Sequence, residues 1–141
     1  RISPPLKWIR LMPVTSFFAA LFTLYFVKLA LAVIKLRRTH QVALGDNGIS
    51  QLEGAIRAHG NFAEYVPLGL ILMGLLESYH FSSELVALLG ITLASGRVLH
   101  ARALSRGHLE LRVRGMVMTF GSLILLALAN GLLAIQQWVS S

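Results

Sequence analysis

Glu53, Arg57, Asn61 and Glu64 follow one another at spacings of four, four and three residues. On a helix that spacing draws a single stripe of two carboxylates, a guanidinium and an amide. Glu53 and Arg57 taken alone are also what a solvated helix end with an i,i+4 ion pair looks like. Asn61 and Glu64 are not, because Phe62, Ala63, Tyr65 and Val66 surround them. Further along, Arg97 and His100 stand one helical turn apart in an apolar stretch, and Arg112 and Arg114 open a second apolar run. Such a set suits a small ligand carrying both signs of charge. Its anionic part would meet Arg57, Arg97 and Arg112, and an ammonium would meet Glu64. His100 fits the same pocket or a hydrogen-bonding role between helices. Other chemistries are poorly served. There is no cysteine to act as nucleophile, thiolate ligand or disulfide partner. The five histidines are scattered, without the spacing of a metal site, so no metal is expected.

The elements that must hold these residues are membrane helices. Hydrophobic residues make up 55% of the 141, and only 13% are charged, about half the usual ~25% of a soluble domain. A chain this short cannot hide that much apolar surface in its own core, so lipid must cover the rest. A transmembrane helix needs about 20 mostly apolar residues. Stretches 14–34, 62–76 with a polar lead-in from 50, 85–96 continuing towards 104, and 115–135 supply four. Their length and weak alternation favour helices over barrel strands. The expected architecture is an all-α integral membrane protein: one domain over 1–141, a four-transmembrane-helix bundle with helices near 11–36, 50–78, 84–105 and 112–136. The links are short. The first contains Gly45-Asp46-Asn47-Gly48, a turn signal, and Ser82 or Ser83 in the second is placed to cap the third helix. Small residues at Gly69, Gly74 and Gly90 would let helices approach closely. The first apolar stretch, despite Ala30-Leu31-Ala32, is too long for a signal-peptide core and is followed by basic residues, so it reads as a retained helix. The chain opens on Arg1 rather than Met, so its true N-terminus stays open.

The net charge of +7 would suggest nucleic acid in a soluble protein, but no segment has the spacing of a nucleic-acid-binding motif. In a membrane protein the charge records orientation and contact with anionic lipid. Lys35, Arg37, Arg38, Arg57, Arg97, Arg102, Arg106, Arg112 and Arg114 flank the first and third links, whereas only Arg1, Lys7 and Arg10 lie on the other side. This bias predicts both links in the cytoplasm and both termini outside. Arg102 and Arg106 read as residues snorkelling to headgroups. Depth follows from 1.5 Å per residue: Lys28, Glu64 and Arg97 each come out roughly 20 Å from the outer face. Three charges at one level predict packing that sets Glu64 between Lys28 and Arg97, or beside one of them.

These residues also carry a family resemblance. The segment Arg57-Ala58-His59-Gly60-Asn61-Phe62-Ala63-Glu64-Tyr65-Val66-Pro67 resembles the Arg-x-x-x-Asn-x-x-Glu signature of the MAPEG family, the membrane-associated proteins in eicosanoid and glutathione metabolism. Arg97-Val98-Leu99-His100 resembles the third-helix motif of its prostaglandin E synthase branch, and Arg112-Val113-Arg114-Gly115-Met116 the start of the fourth helix in bacterial members. The resemblance implies a homotrimer of four-helix protomers in a bacterial inner membrane. Glutathione would be the co-substrate, bound between protomers near the cytoplasmic side. It implies that Arg57, Asn61, Glu64 and Tyr65 bind glutathione and that Arg97 and His100 line the pocket. An arginine of the fourth helix would stabilise the thiolate, Arg112 in preference to Arg114. A neighbouring cation favours the anionic form of a thiol, and the thiolate is the reactive nucleophile. One position departs from the pattern. Where the eicosanoid enzymes carry Tyr one turn after the residue matching His100, this chain has Leu104.

The resulting expectation is a glutathione-dependent transferase or peroxidase acting on lipophilic electrophiles that enter from the bilayer, rather than a specialised eicosanoid synthase. The partners would be two further copies of the chain, lipids and a lipophilic small molecule. Two other classes compete. A small four-helix proton-coupled exporter would use Glu64, but arginines near that carboxylate would repel a cationic cargo. A non-catalytic membrane scaffold leaves Asn61 and the buried charges without a role.

Overall fold

The computed structural model describes residues 11–141, which form four helices: α1 (Pro13–His40), α2 (Ser50–Ser78), α3 (Ser83–Arg106) and α4 (Leu109–Ser140). Arg1, Lys7 and Arg10 lie outside the described residues. Among the described helices, α1, α3 and α4 are each long and apolar enough to cross a membrane unaided. α2 is of similar length, but its polar stripe keeps it out of that set. Three helices run past the sequence-derived limits: α1 continues through the basic cluster to His40, α3 gains one residue at each end, and α4 spans 109–140 rather than 112–136.

Local chemistry sets the ends. Gln41 adopts the left-handed conformation after α1 and its N–H returns to the carbonyls of Arg37 and Arg38. In the first link Gly45, Asn47 and Gly48 all have positive φ, the conformation that glycine and asparagine tolerate best. Asp46 Oδ1 accepts from the Gly48 N–H at 2.9 Å. Arg37 is fixed rather than free: its Nη1 donates to the carbonyls of Ala43 and Gly45 at 3.2 and 2.9 Å. Ser82 Oγ caps α3 by accepting from the Leu85 N–H at 3.3 Å, and Gly107 closes that helix in the left-handed region. The start of α1 has no local side-chain cap. Glu77, buried at the far end of α2, supplies one by accepting from the N–H groups of Val14 and Thr15 at 3.1 and 2.7 Å. Its negative charge also suits the positive end of the helix dipole.

In lipid, helices associate by close packing rather than by hydrophobic burial. α1 meets α2 through aromatic pairs: Phe22 and Tyr25 on Phe62, and Phe26 stacked on His59 at 4.5 Å between ring centroids. The closest backbone approach is between α3 and α4. A Cβ built at Gly96 would lie 2.9 Å from the Gly115 carbonyl oxygen, and one at Gly115 would lie 2.8 Å from that of Gly96. Only glycine fits at either place. Gly69 and Gly90 are likewise pressed by Leu93 and Phe18, while Gly74 sits in looser contact. The Gly96–Gly115 crossing positions the site, because Arg97 and His100 follow Gly96 and are thereby set against the first turns of α4.

Candidate functional site

The α3–α4 crossing buries Arg97 to 2% exposure. Its Nε donates to Thr119 Oγ1 at 2.8 Å, and that hydroxyl in turn donates to the Gly115 carbonyl at 2.8 Å. Nη2 points at Met116 Sδ (3.1 Å) and Nη1 at the Asn61 carbonyl (3.5 Å). The guanidinium also lies over the Tyr65 ring, 5.1 Å from its centroid. Tyr65 packs edge-on against Phe120. Every partner is neutral. Among the described residues the only ion pair joins Arg114 to Glu110, both exposed. A buried cation with no carboxylate is costly unless an anion is supplied from elsewhere.

Beside this arrangement lies a cavity of about 550 Å³, lined chiefly by Glu53, Arg57, Asn61, His100, Arg112 and Met116, with Ser50, Gly54 and Leu104 completing its wall. It sits where α2 and α4 begin and α3 ends, the end of the bundle that carries the first and third links. Gly54 allows this junction, since a Cβ there would lie 3.0 Å from the Leu104 carbonyl oxygen. The positive ends of two helix dipoles add to the two arginines in the wall. His100 is 5% exposed. Its Nδ1 lies 3.3 Å from the Arg112 carbonyl oxygen, and its Nε2 is buried without a partner among the described residues. Asn61 Nδ2 donates to the Arg57 carbonyl at 3.0 Å, which leaves the amide oxygen and a second N–H for a ligand.

Of the residues expected at the site, Arg57, Asn61, His100 and Arg112 share this cavity. Arg97 stands behind its wall, touching Asn61 and Met116, with Tyr65 against it. Arg114 is outside, held by Glu110. The expected cluster of three charges at one depth does not form within the chain. Lys28 is exposed and lies over the Tyr25 ring at 5.8 Å, and Glu64 is exposed without an ion pair among the described residues. The reason is rotational. Phe62 and Val66 face the core, and Glu64, two positions from each, falls about 200° around the helix from both. Equal depth does not make equal azimuth. Three roles were not foreseen from the sequence: those of Thr119 and Met116, which hold Arg97, and that of Glu77, which caps α1. A hydroxyl one turn after Gly115 and a carboxylate closing an apolar helix were the available signals.

A helical membrane bundle with a cation-lined cavity at one end is the class that fold and site define. The chain belongs to the MAPEG family, whose family model matches residues 15–134. It is 37% identical over 117 residues to the inner membrane protein YecN of Escherichia coli strain K12, covering 83% of this chain and 89% of that one. The YecN of Escherichia coli O6:H1 matches to the same degree.

Proposed function

We propose that the protein is a glutathione-dependent transferase or peroxidase acting on lipophilic electrophiles, with glutathione held in the cavity between α2, α3 and α4. The observation that carries this reading is the buried Arg97 with no acidic partner, next to a cavity walled by Arg57 and Arg112. An anionic tripeptide answers that surplus of positive charge, and the family includes glutathione transferases. Arg57 and Asn61 would hold the peptide carboxylates and amides, and Arg112 would face the sulfur. Glu53, Arg57 and Glu64 are exposed on α2 of a single chain. In a membrane such a stripe calls for cover, which supports association of copies with Glu64 completing the site against a neighbour; that these number three is what the family resemblance implies. By similarity to YecN the location is an inner membrane, with the basic links and the cavity towards the cytoplasm.

The test is titration of glutathione into purified protein, followed at the thiolate absorbance, with conjugation of chlorodinitrobenzene as the measure of turnover. A thiolate signal that saturates supports the reading; no binding in either detergent or lipid ends it. A non-catalytic relative of the transferases is the second reading. Leu104 in the cavity wall favours it, since an aliphatic side chain stands where the eicosanoid enzymes have a phenol. Binding without conjugation or peroxide reduction would decide for it.

A further inference from the structure

We propose that His100 is the group that takes the proton from the bound thiol, an inference that rests on the glutathione reading above. A carbonyl oxygen only accepts, so the contact between Nδ1 and the Arg112 carbonyl requires the hydrogen on Nδ1. In the neutral ring this leaves the lone pair on Nε2, the nitrogen that is buried with no partner among the described residues. An unpaired acceptor in a ring that is 5% exposed and lines a cavity is an unmet hydrogen bond awaiting a donor. None of the described polar groups around it supplies one. Arg97 on its own helix is engaged by Thr119, Met116 and Asn61, while Arg57 and Glu53 of α2 and Arg112 of α4 line the open cavity. Arg112 is thus coupled to the ring in two ways: its backbone orients the imidazole, and its side chain shares the same cavity. A sulfur drawn to the Arg112 guanidinium enters the same cavity that the His100 ring lines.

The step balances without any further reagent. The S–H bond breaks, its electron pair stays on sulfur, and the proton bonds to Nε2 while Nδ1–H keeps its carbonyl. Imidazolium and thiolate form together, so the cavity's net charge is unchanged even with three guanidiniums nearby. When the thiolate displaces chloride from chlorodinitrobenzene, a C–S bond replaces the C–Cl bond and chloride leaves with its pair. The proton on Nε2 passes to solvent, so the products are thioether, chloride and a proton.

The experiment measures glutathione affinity by calorimetry and the rate of thiolate appearance by stopped-flow absorbance, for the wild type, His100→Ala and His100→Gln. The expected result is affinity within a few fold in at least one variant, a thiolate rate lowered by about 10²-fold or more, and recovery of that rate in His100→Ala when imidazole is added. An unchanged thiolate rate overturns the assignment, as does a lowered rate that imidazole does not restore. Loss of binding in both variants also overturns it, because the ring is then structural. Binding to the wild type without any thiolate signal removes His100's role and leaves glutathione recognition standing. No binding to the wild type removes both.

Discussion

Replacing Thr119 by Val tests how the fold keeps a bare guanidinium inside it. Thr119 is fully buried and is the shortest contact of Arg97, at 2.8 Å. Valine keeps the volume and removes the acceptor, so Nε–H is left facing methyl groups. A hydrogen bond to a charged group contributes about 1.5–3 kcal/mol, and that is the expected loss. The Gly115 carbonyl, which also loses the Thr119 hydroxyl, keeps its place in the helix. Ser122→Ala is the control, because Ser122 is equally buried but its hydroxyl only donates to the Met118 carbonyl of its own helix. Its expected cost is about 1 kcal/mol or less. Thermal and denaturant melts in one detergent should rank the wild type first, Ser122→Ala second and Thr119→Val last. The decisive measurement repeats Thr119→Val in an Arg97→Leu background. With the charge gone there is nothing left to satisfy, so the cost should shrink and the coupling should recover most of the 1.5–3 kcal/mol. Arg97→Leu itself should leave stability near the wild type or above it, since apolar replacement of a buried charge is often neutral or favourable. Its glutathione affinity should fall. A Thr119→Val cost that is identical in both backgrounds, or no larger than that of Ser122→Ala, would refute the reasoning.

Three further outcomes are expected. Arg112→Ala should raise the bound thiol pKa by about one to two units, each unit being ~1.36 kcal/mol, while Arg57→Ala weakens binding and Arg114→Ala does neither; thiolate absorbance against pH and calorimetry separate the three. Glu77→Leu should lower the melting temperature by stripping the Val14 and Thr15 N–H groups of their acceptor, at about 1–3 kcal/mol for each donor left unsatisfied. Glu64→Gln should leave the melt of detergent-separated protomers unchanged, and an equal loss in both variants would contradict the exposed position of Glu64. With no native cysteine to interfere, Leu44→Cys should be labelled from the cytoplasmic side and Ser83→Cys from the outside; the reverse pattern overturns the orientation.

Hydropathy, link length and turn residues are local properties, and they were enough for the helical bundle, the Gly45–Gly48 turn and a serine cap at Ser82 or Ser83, of which the structure uses Ser82. Each depends on groups a few residues apart, so the sequence carries them directly. The family signature around Arg57 and Asn61 was legible for the same reason. Rotation was not. Which side of α2 turns inward is settled by Phe62 and Val66 meeting the aromatic rings of α1, and that contact carries Glu64 away from Arg97. The separation of Arg112 from Arg114 has the same origin. Two positions differ by about 200° around a helix, and the contact between Gly96 and Gly115 determines which of the two faces the cavity. The acceptor that Thr119 offers Arg97 and the cap that Glu77 gives α1 join groups 22 and 62 or more positions apart. Only the packed helices bring such groups within hydrogen-bonding distance, because no periodicity along one helix encodes the azimuth of another.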